Sequence, residues 1–425
     1  MPQADRQRVH LQIADAMALL ESPDLGQLVG HYLDGNALDK AAAHALLAAR
    51  KEIARFSYGD AVQYFELALE HGDWGAERLD LVIEHAEALG RAGRSAAAAE
   101  QYLIAAQLLE ATSGDVAQLS LLRAKAATKM LHSGQLKRGQ EVCRAVFGDL
   151  GIPFPENLKQ AQKASLRNRL VVGAIGLAAR FRKSGDLTAI RDRATTLWEA
   201  AASLMMMDFV VGDAMMSWYL RDVARLNDPM FQLRPDTSGA AGLANLDAAW
   251  AQRKSRSMLE RCKVISRSEG APQAQVLYSA GRSGVAWFTG QWSLSADIAG
   301  EAIAFSRREI ADFDFVQSIL LGNRQSALIC MGEFEQARPE VKRTLRDGER
   351  RDDAFITRLF PAEFGTMLSL ADDDVPKALR LSDAVLEDVH DDHFTSMHWA
   401  HFNGTANALI YDNNHEALWD LMDRQ

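Results

Sequence analysis

The segment WFTGQWSLSADIAGEAI, residues 287–303, indicates a repeated structure, because its pattern recurs as CMGEFEQARPEVKRTL at residues 330–345. In each copy an apolar helix ends near a glycine, an aromatic residue follows, and a second helix opens around a small alanine. Further copies lie at residues 55–69, 89–109, 132–147, 370–386 and 411–422. A sequence pattern that recurs along the chain in this way is typical of stacked helix hairpins.

The small residue near the start of each second helix sets the repeat length. These markers are 36 residues apart in the first pair and 41, 41 and 39 residues apart in the second half, near the tetratricopeptide length of about 34 residues. One hairpin cannot bury its apolar face alone, whereas stacked neighbours share a core. The sequence therefore predicts an all-α protein, an α-solenoid of tetratricopeptide-like antiparallel helix pairs forming a superhelix. The markers are Ala61, Ala97, Ala296, Ala337, Ala378 and Ala417.

Glycine is expected to end the first helix of a pair, because it enters the left-handed conformation without a Cβ clash. The glycines at this place are Gly59, Gly93, Gly134, Gly290 and Gly332. A larger apolar residue beside the turn is expected to fill the wedge where the two helices splay. The residues in this role are Tyr58, Leu136, Trp292 and Phe334.

Turn signals divide the chain into four predicted regions. Pro153 and Pro155 forbid helix continuation and end the first array. The central region keeps a helical pattern, with looser turn signals expected at residues 183–186, 227–239 and 266–272. The regions are junction helices at 1–36, N-terminal tetratricopeptide-like repeats at 37–152, irregular central pairs at 153–270, and C-terminal repeats at 271–425 that are truncated or uncapped.

Composition excludes several classes of partner. The net charge of −10 argues against nucleic acid and against an anionic membrane surface, which both select basic patches. Cys143, Cys262 and Cys330 lie far apart without a CxxC pair, so neither zinc nor a disulfide framework is predicted, and a cytoplasmic location fits. The most apolar run, residues 170–179, is too short to span a bilayer.

The N-terminal residues carry a resemblance beyond the repeat. RVHLQIADAMAL at residues 8–19 is followed by the pair His31–Tyr32, by KAAAHALLAA at 40–49 and by a first hairpin at 58–69. This order resembles the junction after the winged helix in large bacterial signal-transduction ATPases. The segments at residues 143–157, 287–292, 330–337 and 370–379 resemble the helical arm of the signal-transduction ATPases that are fused to a serine/threonine kinase domain.

The chain departs from that family where catalysis is concerned. It contains no GK dipeptide, so the phosphate-binding loop GxxxxGK[ST] is absent, as are the GxGxxG, HRD and DFG motifs of kinases. The resemblance therefore implies only the arm: a helical sensor or docking region for a catalytic part that lies elsewhere. We predict no catalytic, cofactor-binding or metal-binding residue, and no cofactor.

One histidine-rich segment is the sharpest local candidate for a metal site. Imidazoles and carboxylates three residues apart could bind zinc if they shared a helix face. A solvated turn followed by a half-buried helix is the favoured interpretation, since nothing indicates a tetrahedral arrangement. The residues concerned are His390, Asp391, Asp392, His393, His398 and His401.

Three other clusters have ordinary structural explanations. The methionines at 205–207 and 215–216 could line an adaptable groove, but filling gaps in the core is favoured. The basic clusters at 253–256 and 350–351 are expected to be solvated. The acidic run Asp372–Asp374 is expected to cap a turn.

The sequence thus predicts a non-catalytic interaction and regulatory scaffold, the sensor or docking arm of a signalling kinase or ATPase. Its partner would be a protein or peptide on the concave face, and a kinase or ATPase domain of the same polypeptide is one candidate. Helices near residues 41–55, 79–91 and 315–330 would line that face. The alternative is a small-ligand sensor with a pocket inside the helical array. An unrecognised enzyme is a third, for which no constellation of titratable residues stands out.

Overall fold

The computed structural model describes residues 2–112, 114–178, 187–226, 228–310, 314–387 and 394–423. Within these ranges the protein is helical and forms no strand, which confirms the all-α prediction. The chain divides into two compact units, Met1–Met130 and Leu131–Gln425. The division falls inside the region 37–152 that the sequence groups as one array.

The first unit consists of consecutive helices joined by short turns. They are α1 Gln3–Met17, α2 Leu25–Asp34, α3 Leu38–Ala54, α4 Tyr58–His71, α5 Arg78–Arg91, α6 Ser95–Thr112 and α7 Val116–His132, whose last two residues belong to the second unit. Helix α3 packs on α4, and α5 packs on α6.

The second unit continues with longer central helices and then returns to short pairs. They are α8 Leu136–Asp149, α9 Leu158–Ala178, α10 Thr188–Met207, α11 Phe209–Leu226, α12 Pro229–Ala244, α13 Ala249–Glu269, α14 Pro272–Phe288, α15 Trp292–Glu309, α16 Asp314–Cys330, α17 Phe334–Arg350, α18 Ala354–Phe360, α19 Thr366–Ala371, α20 Val375–Asp383, α21 Ser396–Tyr411 and α22 His415–Asp423. A π-helical turn, Pro361–Gly365, joins α18 to α19.

One turn geometry recurs between paired helices. Gly93, Gly134, Gly290 and Gly332 all have φ between 73° and 81°, which confirms their predicted role. The residue after the glycine donates its N–H to a carbonyl five residues back. The N···O distance is 2.8 Å from Gln291 to Ala286 and 2.9 Å from Glu333 to Leu328. This 6→1 bond satisfies a carbonyl that the end of the helix leaves free.

The prediction for Gly59 is wrong. Helix α3 ends at Ala54, and Phe56 itself takes the left-handed conformation with φ 61°. The following residue, Ser57, donates to Glu52 at 2.9 Å, so the helix is closed before Gly59, which lies inside α4. Other residues with a side chain occupy the left-handed position in the same way; they are Asn36, Asp352, Asp373 and Asn413.

The second helices begin where the pattern places them. Tyr58, Leu136, Trp292 and Phe334 are the first residues of α4, α8, α15 and α17. Of the alanine markers, Ala61, Ala296, Ala337 and Ala378 are buried. Ala97 and Ala417 are only half-buried. In α6 it is the next residue, Ala98, that is buried.

The core of the first unit is a series of apolar clusters rather than one centre. A cluster around Leu28 and Tyr32 joins α1, α2 and α3. The next, around Phe65 and Leu89, joins α2 to α6, and a third, around Tyr102, joins α5, α6 and α7. Each helix therefore shares its buried face with its sequence neighbours, as helix pairs do when no single hairpin can form a core.

The prediction of a turn at residues 227–239 is also wrong, because α12 occupies most of that segment. Asp228 caps the helix by accepting from Met230 N at 3.0 Å, and Pro229 is the first helical residue, where its missing N–H costs nothing. Pro235 lies inside the helix and cannot donate to the carbonyl of Phe231. That carbonyl instead accepts the hydroxyl of Tyr219 at 2.8 Å, which compensates for the proline.

Packing in the second unit is not restricted to sequence neighbours. Helix α21 lies against α10, and the Ser396 hydroxyl donates to the carbonyl of Met207 at 2.9 Å across 189 residues. The C-terminal part of this unit therefore packs on its central helices. Among the helices described, none is both long and apolar enough to cross a membrane.

Candidate functional site

A polar stripe runs along α11, a helix that packs between α9 and α10. Trp218, Arg221, Asp222 and Arg225 are spaced by three or four residues, which places them on one face of the helix. Arg167 reaches this face from α9 and Arg193 reaches it from α10. We call the residues of this group the arginine cluster: Arg167, Arg193, Trp218, Arg221, Asp222 and Arg225.

Asp222 is the buried anion of the cluster. Its side chain is 2% exposed, and its Oδ2 lies 3.0 Å from Nε of Arg193 while its Oδ1 lies 3.8 Å from Nη1 of Arg225. Burial raises the pKa of Asp222, and the positive charges of Arg193, Arg225 and Arg221 oppose that rise. The carboxylate is thus held in the interior by guanidinium groups.

Two guanidinium groups of the cluster lie over the ring of Trp218. The guanidinium carbon of Arg221 is 5.1 Å from the ring centroid and that of Arg167 is 5.5 Å from it, both within cation–π range. The residue is 8% exposed, and its indole Nε1 is buried without a hydrogen-bond acceptor among the described residues. Nε of Arg221 is likewise buried without an acceptor there.

Positive charge exceeds negative charge in the cluster. The pKa of Arg221 is lowered first by burial and then by the nearby charges of Arg225, Arg167 and Arg193, with Asp222 alone acting in the opposite direction. Three guanidinium groups, those of Arg193, Arg221 and Arg225, therefore act on the carboxylate of Asp222, and Arg167 adds a fourth positive charge beside Arg221. A site of this kind favours a ligand that brings negative charge and hydrogen-bond acceptors.

An apolar groove at the α14–α15 turn is a second feature of the surface. Its exposed apolar residues are Trp292, 38% exposed, and Leu294, 44% exposed, and Met331 also lines it. The remaining lining residues are Gly290, Gln291, Ser293 and Asp297. We call this feature the Trp292 groove.

The histidines weighed above as metal ligands make structural contacts where the structure describes them. Nδ1 of His398 lies 3.2 Å from the backbone N of Thr395 and completes a capping box at the start of α21. Nδ1 of His401 lies 3.2 Å from the carbonyl oxygen of Ser382. Residues 390–393 lie outside the described residues. Across the described ranges, no three His, Cys, Asp or Glu residues form a group that could hold a metal ion.

The other sequence candidates lie where the simpler interpretation places them. Met207, Met215 and Met216 are buried, Met205 and Met206 are half-buried, and the basic residues at 253, 254 and 256 are exposed. Asp374 caps α20 by accepting from Lys377 N at 3.0 Å. Cys143, Cys262 and Cys330 are free thiols.

The arginine cluster was missed at the level of sequence, although part of its signal is visible there. The segment WYLRDVAR, residues 218–225, repeats polar or aromatic residues at helical spacing inside an otherwise apolar helix. Such a stripe marks a polar face within a core helix. The contributions of Arg167 and Arg193 could not be inferred, because they come from other helices.

Comparison with known proteins gives no family for this chain: no family model matches it, and no curated protein matches its sequence. Function therefore has to be inferred from residues and geometry. The arginine cluster offers charge and donors in a partly buried place. The Trp292 groove offers exposed apolar surface.

Proposed function

We propose that this protein is a non-catalytic interaction and regulatory scaffold, the sensor or docking arm of a cytoplasmic signalling kinase or ATPase. Its helix pairs would continue as a tetratricopeptide-like α-solenoid, with a protein or peptide bound on the concave face. The observation that carries the proposal is the recurring turn, in which a left-handed residue and a 6→1 hydrogen bond join successive helices in both units. Repeated pairs of this kind build extended binding surfaces.

The surface of the second unit supports a docking role. Trp292 and Leu294 are exposed beside each other at the start of α15, and tryptophan is prominent among the residues that dominate binding energy in protein interfaces. The helices expected to line a concave face correspond to α3, α5 and α16. The sequence contains neither a phosphate-binding loop nor kinase motifs, so the catalytic part would be another domain or chain.

The test starts from the reading frames that flank this one. A kinase or P-loop ATPase found there, in frame or adjacent, is purified and its rate of ATP turnover is measured with and without this chain. We expect at least a twofold change of rate. Trp292→Ala should weaken the association about tenfold or more, because a buried interface tryptophan contributes about 2 kcal/mol or more.

Trp250→Ala is the matched control, since Trp250 is 56% exposed on α13, away from the groove. It should change the association less than twofold. The proposal is wrong if the flanking enzyme neither binds this chain nor changes its rate. If Trp250→Ala and Trp292→Ala weaken binding equally, the Trp292 groove is not the docking surface.

A small-ligand sensor is the second candidate function, and the arginine cluster favours it. Four guanidinium groups converge on a partly buried place that holds one carboxylate. A bound anion would order the contacts among α9, α10 and α11 and would thereby stabilise the folded state by mass action. A thermal shift with a panel of metabolites separates the two functions, because only the sensor predicts stabilisation by a small molecule.

A further inference from the structure

We propose that the arginine cluster binds the phosphate group of a small molecule between α9, α10 and α11. This inference gives the sensor function a ligand class. It does not depend on the scaffold function, because it concerns the isolated chain and needs no partner protein.

The charge of the cluster is the first observation that supports the site. The protein as a whole carries a net charge of −10, yet four arginines and one carboxylate lie together here. The pKa of Arg221 is lowered mainly by burial and by the arginines around it, so the cluster stores like-charge repulsion. An anion with two negative charges would relieve that repulsion, whereas Asp222 supplies only one.

Unused donors are the second observation. The Trp218 indole is more than nine-tenths buried, and its Nε1 has no acceptor among the described residues. Nε of Arg221, which stacks on the same ring, also lacks one. Buried donors of this kind are normally satisfied, because an unmet one costs about 1–3 kcal/mol. A bound acceptor group with several oxygen atoms would satisfy both donors together.

The geometry favours a phosphate group over an aromatic or apolar ligand. Arg167 and Arg221 already stack on the Trp218 ring, so a base or another ring would have to displace a guanidinium. The N–H groups that lack an acceptor favour a ligand that accepts hydrogen bonds over one that stacks on a ring. Guanidinium groups pair with phosphate oxygens through parallel hydrogen bonds, which makes arginine the common residue at phosphate sites.

The burial of the cluster favours a small molecule over a macromolecule. Arg193 is 34% exposed and Arg225 is 29% exposed, so solvent reaches the rim, while Asp222 and Trp218 are closed off. A nucleic acid would select an exposed basic stripe instead. The phosphate group of a small metabolite can reach the cluster from this exposed side and leave its organic part in solvent.

The test uses the full chain in phosphate-free buffer. Inorganic phosphate and glycerol 1-phosphate are titrated at constant ionic strength, with sodium chloride as the balancing salt so that screening stays constant. Binding is followed by calorimetry and by the shift in melting temperature. We expect saturable binding and a rise in melting temperature for the wild type, with the phosphate ester binding at least as tightly as inorganic phosphate.

Three variants assign the binding to the cluster. Trp218→Phe keeps an aromatic ring for the arginines and removes the indole N–H together with part of the ring, and Arg221→Gln removes one guanidinium. Each should weaken phosphate binding about tenfold while the circular dichroism spectrum stays helical. Arg253→Gln is the matched control, since it removes one positive charge from an exposed position on α13, and it should change binding less than twofold.

Selective ¹⁵N-tryptophan labelling gives a readout that does not depend on stability. The chain contains eight tryptophans, and the indole resonance that disappears in Trp218→Phe identifies Nε1 of Trp218. This resonance should shift with phosphate as the indole N–H gains an acceptor. The proposal is overturned if phosphate shows no saturable binding, if Arg253→Gln weakens binding as much as Arg221→Gln does, or if this resonance stays fixed while binding occurs. None of these outcomes bears on whether the chain docks to a kinase or ATPase.

Discussion

The helix pairs of the first unit and the central helices α9–α11 of the second unit differ in whether they bury an acidic side chain. In the first unit, ion pairs between helices lie at the surface: Arg50 and Glu84 are 52% and 31% exposed, and Arg94 and Glu66 are 51% and 46% exposed. The buried histidine of that unit, His85, is kept neutral because burial lowers its pKa to about 4. In the central helices, Asp222 is buried beside arginines, whose positive charges oppose the rise that burial causes in its pKa.

The difference shows which charges the fold needs. An exposed pair contributes about 0–1 kcal/mol and can be exchanged without loss of fold. A buried ion pair often gives no net stability compared with well-packed apolar residues of similar size. The repeat therefore explains the pairs of the first unit, whereas the arginine cluster exceeds what packing requires. The proposed binding role would account for that excess.

Removing the buried carboxylate is the strongest way to test this contrast. We expect Asp222→Ala to lower the free energy of unfolding by about 3–4 kcal/mol, because it leaves Arg193 and Arg225 without their counter-charge. Glu84→Ala in the first unit should cost less than about 1 kcal/mol. Urea denaturation followed by circular dichroism measures both. Equal losses in the two variants would mean that burial does not distinguish the two regions.

A second buried carboxyl group, Glu363, sharpens the contrast because it has no counter-charge among the described residues. It lies in the π-helical turn, and burial raises its pKa from 4.5 to about 7. The folded state therefore binds its proton more tightly than the unfolded state. This stability is fully present below about pH 4.5 and is lost as the pH rises through about 7.

Glu363→Gln removes this pH dependence. Near pH 8 the variant should be more stable than the wild type by up to about 3 kcal/mol, and near pH 4.5 the two should agree. Urea midpoints at the two pH values provide the measurement, with Glu335→Gln on the exposed surface of α17 as the control. A wild type and a Glu363→Gln variant that differ equally at both pH values would contradict the predicted linkage.

A comparison of two turns in the first unit should give the smallest change in stability. Phe56 holds φ 61°, where a side chain is strained, and Gly93 holds φ 81° at the equivalent place of a later pair. Phe56→Gly should stabilise the protein by about 1 kcal/mol, since the exposed ring loses little packing. Gly93→Ala should destabilise it by a similar amount. Thermal denaturation of both variants checks the signs, and a loss in Phe56→Gly would show that the ring itself stabilises the turn.

Much of the fold could be predicted because the helix pairs are local. The repeat pattern identifies the glycines at 93, 134, 290 and 332 as helix ends, and the structure gives them the left-handed conformation. The error at Gly59 arose because a phenylalanine took that conformation three residues earlier. The error at α12 arose because the hydroxyl of Tyr219 replaces a hydrogen bond that Pro235 cannot make. Neither the left-handed conformation of Phe56 nor the hydrogen bond from Tyr219 can be recognised from the residues of the segment concerned.

The candidate site could be predicted only in part, for a similar reason. Trp218, Arg221 and Arg225 share a face of α11 by spacing alone, so that part of the cluster lies in the sequence. Their significance depends on Arg167 and Arg193, which other helices bring to the same place. Helix-to-helix placement is set by tertiary packing, and no local pattern of residues specifies it.

The hydrogen bond from Ser396 to Met207 has a consequence for the order of folding. It joins residues 189 positions apart, and closing a chain loop of that length costs about 5 kcal/mol of entropy before any contact repays it. Neighbouring pairs form with short loops and can fold early and independently. We therefore expect the packing of α21 on α10 to form after the neighbouring pairs, with both of its surfaces exposed to solvent until then.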